Sequence, residues 1–538
     1  MNDNTGSPPS PERPAAGGET GSVPAAAPRG ERPGAVRNVQ VAVVGAGFAG
    51  LGVVIRLLQE GYRDVLLLER ADEVGGTWRD NTYPGCACDV PSHLYSFSFA
   101  PNPDWSRRFA PQAEIGHYLR RCADEYGVRP HLRLGCELRH ARWDAGDRVW
   151  RLETGDGPMA ARILVLAQGP LSEPAVPRLP GLDGFEGEAF HSARWNHDLD
   201  LRGLRVGVVG TGASAVQFVP HLQRTAGHVT LFQRTPPWVA PRRDRVIPPW
   251  RRSLFRLVPT AQRLARGGEY LAREATLPAL LGNRTMRALG RRAALAHLRR
   301  QVADPVLRGK LTPGYELGCK RVLLADDYYP ALTRSNVAVV TDRIVEVGAR
   351  SVVTAGGPAP GAGAPQAGDA HPVDVLIFGT GFRVTDATYP HDIVGSRGRS
   401  LHEVWDGSPQ AYLGTTVTGF PNLFLMAGPN TGLGHNSLIY MIESQIAYLL
   451  GCLRAMRERG ADTVEVRAEV QEVYNAGLQR RLASTVWATG GCASWYRDRH
   501  DRITALWPEP TWRFRRATAG FDPAAHILSA AGRPCPTH

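Results

Sequence analysis

Short apolar runs, glycine-rich turns and stretches with helical spacing alternate along most of the chain. The β-branched run Val39–Val44 predicts a buried strand, Leu51–Gln59 has the spacing of a helix, and Val65–Leu68 predicts a second strand. A second unit has its strands at Leu204–Val209 and Val229–Phe232, again with a helix between them. Strands that alternate with helices form parallel sheets, so the pattern predicts an α/β fold built on two such units.

The turn of the first unit has the sequence of a phosphate-binding loop. Gly45, Gly47 and Gly50 have G-x-G-x-x-G spacing between the strand and the helix. Gly45 permits the tight turn, Gly47 lets a pyrophosphate approach the backbone, and Gly50 lets the helix pack closely on the strand. Glu69 lies 19 residues after Gly50, at the end of the second strand, where a carboxylate can accept both ribose hydroxyls. We therefore predict a Rossmann-like unit that binds FAD.

The second unit repeats the loop but differs at the position that follows its second strand. Its turn contains Gly210, Thr211, Gly212, Ala213, Ser214 and Ala215, and alanine is an accepted variant at the last position. Nineteen residues later comes Arg234, followed by Thr235, where the first unit has an acid. A guanidinium pairs with the 2′-phosphate that a carboxylate would repel. The second unit is therefore predicted to bind NADPH.

Two further apolar runs indicate that the second unit is inserted within the first. Ile163–Gly169 resembles the crossing out of the FAD-binding domain, and Val373–Phe382 resembles the strand by which such chains return to it. The predicted segments follow from these crossings. They are a disordered tail at 1–38, FAD-binding parts at 39–165 and 385–538, the second with a C-terminal active-site segment, NADPH-binding parts at 166–240 and 313–384, and an Arg-rich helical insertion at 241–312.

Charge is concentrated in that helical insertion. The 538 residues carry a net charge of +12, but residues 241–310 contain 16 Arg and 1 Lys against four acids, a net +13. A basic segment raises nucleic acid or a membrane surface as partners. We interpret it instead as the solvated face of helices, among them an amphipathic helix at Arg284–Val302. The residues expected near its one apolar face are Met286, Leu289, Ala293, Ala296 and Leu298.

The cysteines and the termini indicate a soluble, cytoplasmic protein. Eight cysteines are scattered without a CxxC pair, which predicts free thiols and neither a disulfide framework nor a metal site. No signal peptide is evident, and the most apolar run is about 15 residues, too short to span a bilayer. Residues 355–370 are of low complexity and predict a long flexible loop.

Two long motifs make the chain similar to the type I Baeyer–Villiger monooxygenases. The first is Phe185-x-Gly187-x-x-x-His191-x-x-x-Trp195, in which related N- and S-oxygenating enzymes usually have another aromatic in place of the Trp. The second runs from Gly75-Gly76-Thr77-Trp78 through Tyr83-Pro84-Gly85 to Asp89. Asn196 departs from the Pro or Asp that normally follows the family's Trp. The resemblance extends from about residue 39 to about residue 525.

The resemblance also implies roles for single residues. Lys320, one of only two lysines in the chain, would reach the NADPH 2′-phosphate, and Arg321 would be the active-site cation with Asp89 as its carboxylate partner. Trp495 would contact the nicotinamide cofactor. The stretch from Gly428 to Leu438 would pass the flavin ring. Arg321 is also expected to contact NADPH. The remaining residues expected at the FAD site are Thr77, Trp78, Asp89, Tyr95, Leu138 and Leu438.

The function implied is NADPH- and O2-dependent conversion of a ketone to an ester or lactone through a C4a-peroxyflavin. A permanently charged guanidinium would stabilise the anions that this chemistry requires. The expected partners are a small ketone and O2, with no nucleic acid and no membrane, and the chain is expected to be a monomer or a dimer. One alternative is a flavin monooxygenase that oxygenates nitrogen or sulfur, against which Trp195 and the Gly75–Asp89 motif argue. The other is a basic flavoprotein that binds nucleic acid or a membrane.

Overall fold

The computed structural model describes residues 37–356, 367–384 and 391–530. The predicted disordered tail lies outside the described residues over 1–36, and the predicted flexible loop at 355–370 does so over 357–366. At its ends the loop prediction is wrong, because Ala355 and residues 367–370 belong to two strands that pair with each other. Arg37 and Asn38, assigned to the tail from sequence, belong instead to the first strand, because they continue its pairing. The strand and helix bounds otherwise differ from the predicted ones by at most a few residues.

The chain up to residue 240 forms the first halves of two sheets. Its strands are β1 Arg37–Val44, β2 Val65–Leu68, β3 Leu132–Arg133, β4 Leu138–Asp144, β5 Val149–Thr154, β6 Gly157–Leu166, β7 Glu188–His191, β8 Arg205–Val209, β9 His228–Phe232 and β10 Val239–Ala240. Its helices are α1 Phe48–Gln59, α2 Thr77–Asp80, α3 Gln112–Glu125 and α4 Ala213–Thr225.

The predicted insertion is helical, and strands resume after it. The helices are α5 Pro249–Leu257, α6 Pro259–Glu274, α7 Leu277–Leu280, α8 Arg284–Gln301 and α9 Pro305–Lys310. Then follow β11 Leu323–Leu324, α10 Tyr328–Leu332, β12 Val337–Val340, β13 Ile344–Gly348, β14 Ser351–Ala355, β15 Ala367–Pro372 and β16 Val375–Phe378.

The last part of the chain returns to the first sheet and ends in a helical region. Its elements are β17 Asp392–Val394, α11 Leu401–Trp405, β18 Leu423–Leu425, α12 Leu438–Arg459, β19 Thr463–Val466, α13 Ala468–Leu482, α14 Val486–Thr489, α15 Thr511–Thr518 and β20 His526–Ser529.

Two sheets carry the predicted nucleotide loops. The first has the order β17-β4-β5-β6-β1-β2-β3, with β18 also paired to β6, and the second has the order β12-β9-β8-β16-β7. Every pairing in the second sheet is parallel, with Val208 opposite both Leu231 and Ile377. The strands of the second sheet all lie in the part of the chain between β6 and β18, and these two strands pair with each other in the first sheet. This is the α/β fold with two dinucleotide-binding units that the sequence predicts.

Both faces of the first sheet are covered, which explains its continuous apolar strands. Val41 and Val43 contribute to a large core with α1, α3 and α12, whereas Ala42 and Val44 contribute to a second core that includes Trp143 and Trp150. Residues that alternate along a strand point to opposite faces, so a strand buried on both sides is apolar throughout.

The predicted apolar face of the helix at 284–301 is wrong. The helix itself is present as α8, but its buried residues are Ala294, His297 and Leu298, and of these only Leu298 was expected. Met286 and Leu289 are exposed. Periodicity cannot identify the buried face when a helix is packed through a polar residue, as α8 is through the hydrogen bond between His297 and the Ala325 carbonyl oxygen.

We predict that Gly50→Ala abolishes flavin retention. A Cβ atom at this position would lie 1.8 Å from the Gly45 carbonyl oxygen, so α1 would have to move away from the loop that it anchors. The measurement is the FAD-to-protein absorbance ratio of the purified variant. Gly184→Ala is the matched control, because an added Cβ there meets nothing within 4 Å. A Gly50→Ala protein that keeps its full FAD content would contradict this account.

Candidate active site

The first glycine loop forms an uncapped helix N-terminus that faces a cavity. Gly45 has a φ of +99°, which L side chains rarely adopt, and Gly47 is the N-cap of α1 without a side chain to accept the free amides. The amides at a helix N-terminus attract phosphate. A Cβ at Gly76 would lie 3.2 Å from the Gly47 Cα, so the loop and the Gly75–Asp89 motif meet backbone to backbone. These features fit the pyrophosphate of a dinucleotide.

Glu69 is held in position beside this loop. Its carboxylate accepts hydrogen bonds from the Ala46 amide at 2.8 Å and the Ala71 amide at 3.0 Å, and it forms an ion pair with Arg79 at 3.0 Å. The side chain is almost fully buried. A carboxylate fixed in this way at the end of β2 can accept the hydroxyls of an adenosine ribose, as the sequence predicts.

A cavity runs along this loop and is lined by most of the residues predicted to hold FAD. Trp78 and Tyr95 form an edge-to-face pair at one side, with the Trp78 Nε1 donating to the Tyr95 hydroxyl at 3.1 Å. Gly50 lies beneath the cavity, in α1. The predicted residues that line it are Gly45, Gly47, Glu69, Thr77, Trp78, Tyr95, Leu138 and Leu438.

The second glycine loop repeats the geometry of the first. Gly210 has a φ of +104°, and Gly212 is the uncapped N-cap of α4, which begins at Ala213. The Thr211 hydroxyl donates to the Thr235 carbonyl oxygen at 2.9 Å, which joins the loop to the segment after β9. Ser214 and Ala215 follow in the first turn of α4, where Ala215 is fully buried. The amides are again free for a phosphate group.

Arg234 and Lys320 form a cationic site beside the second loop. Burial, and then the charge of Arg234, lower the pKa of Lys320 below its ordinary value. Neither side chain forms an ion pair with any of the described residues. Two cations held close together without a carboxylate suit an anionic ligand, which would relieve their repulsion. The structure thus brings together the two residues that the sequence assigned to a 2′-phosphate.

Arg321 and Asp89 form a bidentate ion pair at the end of the Gly75–Asp89 motif. The Arg321 Nε and Nη2 donate to the two Asp89 oxygens at 2.7 and 2.9 Å, and Nη1 donates to the Leu433 carbonyl oxygen at 3.1 Å. Although burial opposes it, the charge of Arg321 lowers the pKa of the Asp89 carboxyl. Asp89 in turn raises the pKa of Arg321. Three of the five guanidinium N–H groups are used, which leaves two for a ligand.

Two neighbouring residues of the helical insertion, neither of which was identified from the sequence, contact Asp89 and the stretch from Gly428 to Leu438. The Arg273 Nη2 donates to the Asp89 carbonyl oxygen at 3.1 Å. Glu274 accepts from Asn436 at 2.7 Å and from the Thr511 hydroxyl at 2.6 Å, and contacts the buried His435 at 3.2 Å. The end of α6 therefore fastens the stretch from Gly428 to Leu438 and the start of α15 to the insertion.

The structure contradicts the prediction that all cysteines are free thiols. Cys319 and Cys492 form a disulfide, although 173 residues separate them in sequence. The sequence argument failed because it considered short cysteine spacings, whereas the fold joins distant segments. Cys319 directly precedes Lys320 and Arg321, so the bond fastens the 487–496 segment beside them. The other described cysteines, at positions 86, 88, 122, 136 and 452, are free and buried.

Trp495 lies close along the chain to this disulfide and is 49% exposed. It is therefore not a core aromatic, and its indole is accessible for a ligand. The following residue, Tyr496, is buried, and its ring packs edge to face on Trp495 with the ring centroids 4.5 Å apart. Burial raises the pKa of Tyr496, and the charge of Arg321 opposes that rise. Tyr496 is thus a second neighbour of the ion pair that the sequence did not identify.

The four residues of the Phe185–Trp195 motif lie at the edge of the second sheet, away from the cavity. A Cβ at Gly187 would lie 2.1 Å from the Asp374 carbonyl oxygen, so only glycine fits there. His191 ends β7, and its Nδ1 accepts the Ala193 amide at 3.1 Å. Trp195 packs on Phe218 of α4, and Phe185 packs in the core of the second sheet. These contacts hold the segment from Phe185 to Trp195 against the second sheet.

Comparison with known proteins agrees with the two-loop site. A family model described as flavin-binding monooxygenase-like matches residues 38–258. The chain is 48% identical over 499 residues to a Baeyer-Villiger monooxygenase of Pseudomonas aeruginosa, and the alignment covers 92% of this chain and 93% of that protein.

Solved structures share the fold over the same extent. A cyclohexanone monooxygenase of Rhodococcus sp. Phi1 bound to NADP+ superimposes with a TM-score of 0.81 at 27% identity, covering 92% of this chain and all of that chain. The complex of OTEMO with FAD and NADP gives a TM-score of 0.79, also at 27% identity and the same coverage.

Within the described ranges, none of the helices combines the length and apolar character that crossing a bilayer requires.

The cationic site makes a prediction about cofactor choice. Replacing both Arg234 and Lys320 by Ala should raise the KM for NADPH roughly 10- to 100-fold and leave that for NADH nearly unchanged, because only NADPH carries the 2′-phosphate. Steady-state oxidation of each cofactor measures this. Arg224→Ala removes an exposed cation from α4 and serves as the control. An unchanged preference for NADPH would refute both assignments.

The Glu274 contacts make a prediction about stability. Glu274→Ala should lower the free energy of unfolding by about 1–3 kcal/mol, because it removes the acceptor of buried His435 and Asn436 groups. Glu269→Ala, on the same helix, should cost less than about 1 kcal/mol, because its Arg108 partner is partly exposed. Denaturant unfolding of the two variants provides the comparison. Equal losses of unfolding free energy in the two variants would show that the Glu274 contacts stabilise the protein no more than the Glu269–Arg108 pair does.

Proposed function

Because the chain belongs to the Baeyer–Villiger monooxygenase family, we propose how its own residues serve the insertion of one oxygen atom beside a ketone carbonyl. The protein is an FAD-dependent monooxygenase that uses NADPH. FAD, when bound, supplies the redox chemistry, taking hydride from NADPH and activating O2. The observation that carries the proposal is the bidentate Arg321–Asp89 pair.

The first loop and its cavity are assigned to FAD. The amides at the start of α1 would bind the pyrophosphate, and Glu69 would accept the ribose hydroxyls. Trp78, Tyr95 and Leu438 would pack beside the ring system, because they line the same cavity. The second loop, Arg234 and Lys320 would hold NADPH, with the exposed Trp495 against its nicotinamide part.

Arg321 is assigned the electrostatic role. As the carbonyl carbon of a ketone is attacked, negative charge develops on its oxygen, and a cation fixed in advance stabilises that charge without reorganisation. Asp89 holds the guanidinium plane through two hydrogen bonds, and the Leu433 carbonyl oxygen accepts a third, so two N–H groups remain free. A guanidinium stays protonated throughout the working pH range, so Arg321 does not deliver a proton to the reacting oxygen. Arg273 and Glu274 would position the pair and the stretch from Gly428 to Leu438.

The substrate is proposed to be a small ketone, with an ester or lactone as the product. Ketone chemistry is supported by the family and by the cyclohexanone monooxygenase with which the fold superimposes.

We also propose a cytoplasmic location, supported by the five buried free thiols among the described residues, since secreted proteins usually pair their cysteines. The Cys319–Cys492 disulfide is the exception, and the burial of Cys319 would limit the access of cellular reductants to it.

We predict that Arg321→Ala loses ester formation but keeps flavin reduction. Product turnover should fall roughly 100- to 1000-fold, because one stabiliser of the developing oxyanion is removed. The product turnover of Arg321→Lys should lie between those of Arg321→Ala and the unmodified protein, because lysine keeps the positive charge but cannot form the bidentate pair. Stopped-flow reduction by NADPH and mass spectrometry of products from a panel of ketones give the two readouts. Substantial ester from Arg321→Ala would disprove the role of Arg321, and the absence of ketone-dependent ester from the unmodified protein would disprove the proposed reaction.

A further inference from the structure

Helix α6 of the insertion is packed with its polar side chains toward the protein. Gln262 Nε2 donates to the Asn102 carbonyl oxygen at 2.7 Å, and Arg266 Nη1 donates to the His93 carbonyl oxygen at 2.6 Å. One and two turns further on, Glu269 pairs with Arg108, and Arg273 and Glu274 make the contacts described above. The inner face of α6 is therefore charged and saturated with hydrogen bonds.

The outer faces of α5 and α6 are apolar. Leu264 and Leu271, seven residues apart on α6, are 78% and 66% exposed, and the exposed Gly268 lies between them. On α5, Trp250 and Leu257 have the same spacing and are 67% and 82% exposed. Residues seven apart share one helix face. We call these four residues, together with Leu254 of α5, the outer apolar face.

This exposure is concentrated in one part of the chain. Of the sixteen large apolar side chains that are exposed in the described residues, ten lie between Val246 and Val306. Single exposed apolar residues are ordinary on a protein surface, but a contiguous set marks a contact site. An inverted helix, polar inside and apolar outside, is stable only because its inner contacts are specific. Its outer face needs a separate explanation.

The charges around the outer apolar face are positive. Two acids of the insertion are bound internally, since Asp244 pairs with Arg107 at 2.7 Å and Glu269 pairs with Arg108 at 3.0 Å. The cations beside the face, namely Arg251, Arg252 and Arg263, make no ion pair with any residue that the structure describes. Apolar residues that include an exposed Trp, flanked by unpaired Arg, are typical of helices that lie in the interface of an anionic bilayer.

We propose that the outer apolar face docks the protein peripherally on an anionic phospholipid surface. The apolar side chains would enter the headgroup region, and the arginines would pair with lipid phosphates. A second copy fits this face less well, because both copies would bring the same positive charge to the contact. The inference does not depend on the proposed reaction. It departs from the sequence-based expectation that a membrane is not a partner.

The test uses the full chain loaded with FAD and measures co-sedimentation with vesicles. Vesicles of phosphatidylcholine with added phosphatidylglycerol should bind the protein, and phosphatidylcholine alone should not. Added salt should weaken the binding because it screens the arginines. Replacing Trp250, Leu257, Leu264 and Leu271 together by Ser should lower the affinity about tenfold or more. Val473→Ser is the matched control, because Val473 is 70% exposed on α13, outside the insertion.

Each contrary outcome overturns the proposal in a recognisable way. If the protein does not bind anionic vesicles, or if the variant with all four Ser substitutions binds them as well as the parent does, this face is not a lipid site. If light scattering shows that the parent is a dimer and the quadruple variant is a monomer, the face binds a second copy of the chain instead. Retention of double-stranded DNA that competes with the vesicles would assign the arginines to nucleic acid. The FAD absorbance and thermal midpoint of the variant establish that it is folded.

Discussion

The ion pair between Arg321 and Asp89 holds together parts of the chain that are 232 residues apart. Asp89 ends a motif that begins beside the first glycine loop, and Arg321 follows the helical insertion. Such a pair is stable in a partly buried site only when its geometry satisfies most donors and acceptors, and here both carboxylate oxygens are used. Arg321 also donates to the Leu433 carbonyl oxygen, so the position of the stretch from Gly428 to Leu438 depends on the same guanidinium.

The parts of the structure that local conformation dictates could be predicted from the sequence. Gly45 and Gly210 have positive φ values, and the glycine spacing reveals this requirement without knowledge of the fold. Central strands such as β2 and β16 are apolar and buried throughout because both of their faces are covered, which made them recognisable. Arg321 and Asp89 could be identified only through the family motifs, since a single arginine in a chain with 61 of them carries no signal of its own.

What the sequence could not provide depends on contacts between distant segments. The Cys319–Cys492 bond joins positions that no spacing rule connects. Glu274 looks like one acid in a basic helix until the fold places it against His435 and Thr511. The apolar pattern of α8 failed for the same reason, because the buried face of a helix depends on what it meets. In this insertion, helices meet the rest of the protein partly through polar groups, which hydrophobic periodicity does not detect.

The two faces of α6 can change independently of one another. Arg273, on the inner face, donates to the Asp89 carbonyl oxygen, so a substitution there alters the surroundings of Asp89. Leu264 and Leu271 lie on the opposite face. Mutational drift, or deliberate redesign, can therefore alter what this surface adheres to while the oxygenating centre is inherited intact. One helix thus separates the evolution of location from the evolution of chemistry.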